Sequence, residues 1–302
     1  MRNLKFLVSL ITNDNDYQLE QANSAQVTAH RLGVEAQILF ADNDAITQST
    51  QLLRAIQVPE KERPHAIVLE PVGATALPQV ARAAVDSGIG WALVNRDAPY
   101  ISEIRRTSKV PIFGVSSDQI EVGRIEARQC AALLPRGGSI LYIAGSSQNS
   151  VAKEREIGLR EKIPPNIHIT VLRGQWTEES SMKAIRSWLS LSTSKKAVID
   201  LVLSQNDAMA IGARKGFQEL TNEMERERWL VIPYLGCDGV PKTGQSWVRS
   251  GLLTATILTP PNTGQAIEMF VEAFEKKRSF PERVFTAVSS IPPLENLAPV
   301  NK

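Results

Sequence analysis

Histidine and cysteine are scarce in this chain: three and two copies among 302 residues. Two cysteines leave room for one disulfide at most and for no cysteine-rich metal site. Cys130 falls in a helical pattern and Cys237 closes an apolar run, so both read as small packing residues, and nothing supports a bridge between them. His30, His65 and His168 fall on a helix, before a strand and within a strand. None sits at a strand's carboxyl end, so the commonest general base is missing where α/β proteins do chemistry. An excess of one charge is also lacking. With 34 basic and 32 acidic residues, the net charge is +2 and no lysine-rich block offers a footprint for nucleic acid. The run Arg105-Arg106-Thr107-Ser108-Lys109 reads as a solvated loop. No stretch approaches the ~20 apolar residues of a membrane span. There is no phosphate loop, dinucleotide fingerprint or nucleophile elbow. Internal repeats, low-complexity segments and proline-rich or serine-rich linkers are absent too.

What is present is an ordinary globular composition, 43% hydrophobic and 22% charged, at a length that suits two domains or one large one. The segment from Met1 to Ile11 holds an apolar piece shorter than a signal-peptide core, with no small-residue cleavage site after it. It reads as a first buried strand, and the chain as written carries no export signal. Further apolar runs follow at Val34–Phe40, Ala66–Leu69, Trp91–Val94, Ile112–Val115, Ser139–Ile143 and Ile167–Leu172. Others lie at Leu201–Leu203, Leu230–Leu235, Leu253–Leu258 and Val284–Val288. Amphipathic patterns separate them, at Leu19–Leu32, Ile46–Ile56, Thr75–Asp86, Gln119–Leu134, Glu178–Leu189, Asp207–Leu220 and Thr263–Lys276. This alternation predicts parallel sheets covered by helices on both faces, a doubly wound α/β fold. Roughly ten strands fit two sheets better than one. The chain is expected to cross between lobes near Ser116-Ser117, Thr259-Pro260-Pro261 and Ile291-Pro292-Pro293. That gives one lobe of residues 1–115 plus 260–289 and a second of 116–259 plus 290–302.

Open parallel sheets bind ligands beyond the carboxyl ends of their strands. The residues there are Asn13 to Tyr17, Glu70, Asn95-Arg96-Asp97, Gly145-Ser146-Ser147, Gln175-Trp176, Asn206-Asp207 and Asp238-Gly239. Taken singly, each has a plain reading. Asn206-Asp207 and Asp118 suit helix caps, Glu154 and Arg155 a solvated helix start, and Asp238-Gly239 a turn. Taken together they form a set of amides, carboxylates, guanidinium groups and a flat aromatic.

Several stretches resemble one family. "GCDGVPKTGQSWVRSGLLTATI" (236–257) is the most specific, followed by "VLSQNDAMAIGA" (202–213), "AKEREIGL" (152–159) and "GVSSDQIEVGRIEA" (114–127). They are similar to the periplasmic sugar-binding proteins of the ribose and galactose type, which share their fold with the ligand cores of lac-repressor-type regulators. The likeness runs from Phe6 to about Pro293. It implies two Rossmann-like lobes joined by a hinge, with a ligand cleft between them. It also implies ligand contacts from Arg155, Asn206 and Asp238 on the second lobe and from Asn95 and Arg96 on the first, with Trp176 against a sugar face. Asn15 and Tyr17 stand in the first-strand loop, where the family's Asn-Pro-Phe-Phe becomes Asn15-Asp16-Tyr17-Gln18. Thr259 replaces a customary Gln, and Glu70 a customary Asn.

These residue types suit the chemistry. Carboxylates and amides accept from vicinal hydroxyls, arginine supplies a fork of donors, and an aromatic covers a C–H face. The expectation is a monomeric solute-binding protein for a small sugar or polyol, with no cofactor and no nucleic acid, partnered by a membrane permease complex or a sensor protein. The resemblance implies the periplasm; the absence of an export signal leaves the cytoplasm as the alternative. Two rivals stand beside it. One is the sensor core of a regulator, with nothing ahead of the first strand to read DNA. The other is a sugar hydrolase using Asp97 and Asp238.

Overall fold

The structure, a computed structural model, describes residues 4–73, 77–194 and 197–300. In chain order, β1 (Lys5–Leu10), α1 (Asp16–Leu32), β2 (Glu35–Phe40), α2 (Ala45–Gln57), β3 (Ala66–Leu69) and α3 (Pro78–Asp86) lead to β4 (Gly90–Val94), α4 (Tyr100–Thr107) and β5 (Ile112–Ser117). Next come α5 (Gln119–Leu133), β6 (Gly138–Ala144), α6 (Ser150–Lys162), β7 (Ile167–Arg173) and α7 (Glu178–Leu189). They are followed by β8 (Leu201–Ser204), α8 (Asp207–Gln218), α9 (Glu223–Leu230), β9 (Tyr234–Leu235), α10 (Gly244–Arg249) and β10 (Thr256–Leu258). The chain closes with α11 (Thr263–Lys276), β11 (Arg283–Thr286) and β12 (Ser289–Ile291).

The chain forms two compact units, Met1–Ser117 with Pro261–Thr286, and Asp118–Pro260 with Ala287–Lys302. In the first, six strands run in the order β11-β5-β4-β3-β1-β2, all paired in parallel. Order reverses between β1 and β3, which is where doubly wound sheets open a crevice. Strands β3 and β4 are buried at every position, as near-continuous apolar runs covered on both faces must be. The second unit repeats the plan with β7-β6-β8-β9 in parallel. Single bridges, Leu235 to Ala255 and Asp238 to Leu258, extend it, and β10 pairs antiparallel with β12. That last pairing draws Ser289–Ile291 into the second unit, so the third crossing falls at Thr286–Ala287.

Helix starts follow local side-chain chemistry. Asn15, Asp44, Asp118, Asn149, Thr177 and Asn206 each accept from a backbone N–H of the first turn of their helix. Each such residue stands close behind a strand, so the caps and the strand-end polar residues are partly the same groups. Among the described residues no helix is long and apolar enough to cross a membrane.

Besides the third crossing, expected near Ile291-Pro292-Pro293, further sequence expectations change. The apolar run Leu230–Leu235 divides into the end of α9 and a two-residue strand, because Trp229 packs from the helix onto Phe217, with centroids 4.5 Å apart, and Pro233 interrupts the run. The basic run at 105–109 is not a free loop. Arg105 to Thr107 close α4, and Arg105 donates to the carbonyls of Ile112 at 2.6 Å and of Phe280. Helices α4, α9 and α10 lie where no helix was read. The predicted helix start at Thr75 lies outside the described residues. Cys130 and Cys237 are both buried and free.

Candidate functional site

In the first unit, the polar residues after β1, β3 and β4 meet. Asn15 Oδ1 accepts from the backbone N–H groups of Tyr17 and Gln18 at 2.9 and 3.2 Å, which puts Tyr17 on the first turn of α1. One turn on, Gln21 Nε2 donates to the Tyr17 hydroxyl at 3.1 Å. Asn95 follows β4 with φ of 56°, a left-handed conformation that asparagine tolerates better than most residues. Its amide donates to the Tyr17 hydroxyl at 3.1 Å and to Glu70 Oε2 at 3.2 Å. Burial pushes the Glu70 carboxyl above its ordinary range, against the nearby Arg96 charge and hydrogen bonds from Gln18 and Asn95. Arg96 is half-buried and donates to the Asn95 carbonyl at 3.4 Å. Asp97 turns outward into an ion pair with Arg283 at 2.6 Å, so this unit's candidate catalytic carboxylate is a surface group.

In the second unit, Arg155 on α6 is not a solvated helix residue. It is 4% exposed, and its Nε donates to Gln119 Oε1 at 2.8 Å while Nη1 donates to the Gln205 carbonyl. The close approach of α5 and α6 buries it. A Cβ on Gly123 would meet the Arg155 carbonyl oxygen at 2.0 Å, and one on Gly158 would meet the Ile120 carbonyl oxygen at 2.0 Å, so only glycine permits this helix contact. The Arg155 guanidinium lies 5.8 Å from the Trp176 ring centre, within cation–π range. Burial alone would weaken its proton affinity, but the acidic groups of Cys237, Asp238 and Glu126 around it raise it.

Trp176 itself has φ of 68°, its ring rests on Gly145, and its Nε1 is buried without a protein partner. Asn206 caps α8 by accepting from Met209 N at 2.9 Å and donates to the Trp176 carbonyl at 2.9 Å, which holds the strained turn. Asp238 has φ of 110°. Its N–H donates to Ile257 O at 2.9 Å, and its carbonyl accepts from Thr259 N at 3.2 Å. Thr259 is buried, with Oγ1 lacking a protein partner.

Three residues that sequence reading set aside or missed support this edge. Asp207 accepts from Thr256 Oγ1 at 2.6 Å and from Gly239 N at 2.9 Å, pinning the loop that carries Asp238. Burial, then the Asp238 charge, pushes its carboxyl well up. Gln205 accepts from Gly145 N at 2.7 Å and donates to Ala152 O at 2.9 Å, linking the Trp176 platform to α6. Glu126, wholly inside the helix–sheet interface, is pushed up to about 8 by burial, with the Arg155 charge and the Tyr142 hydroxyl pulling the other way. Position was the available signal: Gln205 and Asp207 flank Asn206 directly after a strand. Glu126 gave none, since a helix pattern does not reveal which acid faces inward.

Strained backbone occurs at these sites. Among the described residues, seven non-glycine positions have positive φ, and Asn95, Trp176 and Asp238 are three of them. Such conformations persist where the surroundings over-determine them, and they cluster at ligand sites. Among the described residues no group of three or more His, Cys, Asp or Glu side chains is placed to hold a metal ion. The chemistry on offer is hydrogen bonding: carboxylate, amide, guanidinium and hydroxyl groups beside one indole.

Comparison with known proteins agrees with this character. Residues 6–278 match the family model described as periplasmic binding protein domain. A Rhizobium meliloti protein named provisionally for rhizopine binding is 26% identical over 198 residues, 64% of this chain and 60% of that protein. The chain thus spans under two thirds of that relative's length. The ribose import binding protein RbsB of Escherichia coli K12 is 23% identical over 252 residues, 83% of this chain and 77% of RbsB. Among solved structures, a solute binding protein of an ABC transporter from Actinobacillus succinogenes 130z with bound D-allose superposes with a TM-score of 0.81 at 20% identity. That match covers 97% of this chain and 98% of the other, and shows a shared fold.

Proposed function

The chain belongs to the periplasmic binding protein domain family, and from that premise we propose that it captures a small polyhydroxylated ligand, a monosaccharide or polyol, using residues of both units. Relatives named for ribose, D-apiose and xylitol support this class. The observation that carries the reading is the group set at the second sheet's carboxyl edge. Asp238 supplies a carboxylate, Arg155 a guanidinium held by two structural hydrogen bonds, and Trp176 an indole with a buried N–H. Asp238 accepts from paired hydroxyls, Arg155 donates to ring or hydroxyl oxygens, and Trp176 covers a C–H face. In the first unit Tyr17, Asn95 and Arg96 take the remaining hydroxyls, with Asn15 setting the loop. Asn206 and Thr259 complete the second set. The hinge lies at the three crossings, and the partner is an import permease complex in the cell envelope.

A thermal-shift panel of D-ribose, D-allose, D-apiose, xylitol and myo-inositol, followed by calorimetry on the strongest responder, tests this. At least one member raises the melting temperature and is recovered chemically intact by mass spectrometry. A panel that leaves melting unmoved counts against the sugar and polyol class, and a new product would support an enzyme instead.

A further inference from the structure

The first unit holds a largely buried polar chain that runs from Tyr17 and Asn95 to the chain crossings. The polypeptide leaves or enters this unit after Ser117, after Pro260 and after Thr286. On the first unit's side, all three crossings end in one hydrogen-bonded string. Ser117 Oγ and Thr286 Oγ1 lie 3.0 Å apart, and Thr286 Oγ1 donates to Asn262 Oδ1 at 3.0 Å. A hydroxyl has one proton, so Ser117 is the donor of the first bond and the string has a direction. Asn262 then donates through Nδ2 to Asn95 Oδ1. Its own N–H donates to Gln21 Oε1 at 2.9 Å, and Gln21 Nε2 reaches the Tyr17 hydroxyl at 3.1 Å. Asn95 Nδ2 reaches the same hydroxyl at 3.1 Å. Ser117, Asn262, Asn95 and Gln21 are all buried. Bonds between such groups are strong, and each is costly to leave unmade.

We propose that Asn262 is a positioning residue that couples the Tyr17–Asn95 pair to the three chain crossings, so that a change at the crossings is transmitted to ligand-facing side chains and the reverse. Only the ligand-facing half rests on the function proposed above. The physical basis for coupling is that Thr286, Asn262 and Asn95 are bonded in series, and that buried Ser117, Asn262, Asn95 and Gln21 have no solvent to replace a lost partner. By linkage, a ligand that prefers one arrangement of Tyr17 and Asn95 biases the crossings by the same free energy.

Thr286→Val keeps shape and removes the hydroxyl between Asn262 and Ser117, while Thr286→Ser keeps it. Hydrogen–deuterium exchange on the ligand-free protein reads the result without needing a ligand. Thr286→Val is expected to speed exchange several-fold both at 116–119 and at 15–21, leaving β3 and β4 at the original rate, and Thr286→Ser restores both segments. Faster exchange confined to the crossings, or a uniform rise through the whole unit, overturns the coupling. If a panel sugar binds, Thr286→Val also weakens it several-fold and Thr286→Ser recovers it; unchanged affinity with that sugar overturns the transmission to the ligand side. If no panel member binds, the function proposed above fails while the exchange result still decides the coupling.

Discussion

Asp238 and Arg155 serve one ligand in the proposed function but stand in unlike settings. Asp238 is half-buried on a strained turn, whereas Arg155 is buried and already donates to Gln119 and Gln205. Asp238→Asn exchanges acceptor capacity for donors and removes charge-assisted bonds of about 1.5–3 kcal/mol. Affinity for the best panel ligand is expected to fall at least about tenfold in calorimetry, with little change in melting. Arg155→Lys loses the fork as well as two structural bonds, so both affinity and melting temperature fall. A solvated helix-start Arg155 would make Arg155→Lys nearly neutral for stability, and its burial is what changes that. A pair of variants that both keep full affinity would remove these residues from the site. Glu126 supplies a pH test. Its folded carboxyl titrates at about 8 against an ordinary 4.5, so the folded chain holds a proton that the unfolded chain releases. Stability from this group is therefore greatest below pH 4.5 and drains away as pH rises towards 8. Melting of Glu126→Gln across that range should show a flatter profile and a gain at the alkaline end. Glu70 and Asp207, raised in the same direction, leave a residual slope.

Among the elements, the α5–α6 contact most directly prepares the site. It needs Gly123 and Gly158, where a methyl group would strike a backbone carbonyl oxygen at 2.0 Å in each case. Backbone cannot yield as a flexible side chain can, so the helices must separate. Gly123→Ala should lower stability by about 1–3 kcal/mol or more in denaturant unfolding. Because α6 carries Arg155, it should also weaken ligand binding. The same substitution at Gly251, where an added Cβ meets nothing within 4 Å but φ is 75°, should cost backbone strain alone and leave affinity intact. Equal binding losses at both positions would show that general destabilisation, rather than the placing of α6, controls affinity.

On the scale of the whole molecule, the sugar-binding reading requires one ligand to engage residues from two units joined by three crossings. A ligand that gains contacts only when both units reach it shifts the population towards a closed arrangement. Small-angle scattering with saturating ligand should give a smaller radius of gyration than without. An unchanged profile, with binding verified by calorimetry, would argue against hinge closure.

Strand–helix alternation, the parallel sheets and most strand-end positions were legible in the sequence, because apolar periodicity and the caps Asp118 and Asn206 act locally. The chemical types of the strand-end residues were legible for the same reason: a polar residue directly after an apolar run is placed by its neighbours in the chain. Tertiary structure alone decided what those residues touch. Arg155 is buried because two glycines, 35 residues apart, let α5 and α6 meet. Asn262 matters because α11 brings it against Asn95, 167 positions away in the chain. Leu230 became helical because Trp229 found Phe217, and Glu126 turned inward because α5 packs on a sheet. Local pattern assigns a residue to an element, but burial and partnership are set by contacts across the chain, which short-range periodicity does not encode.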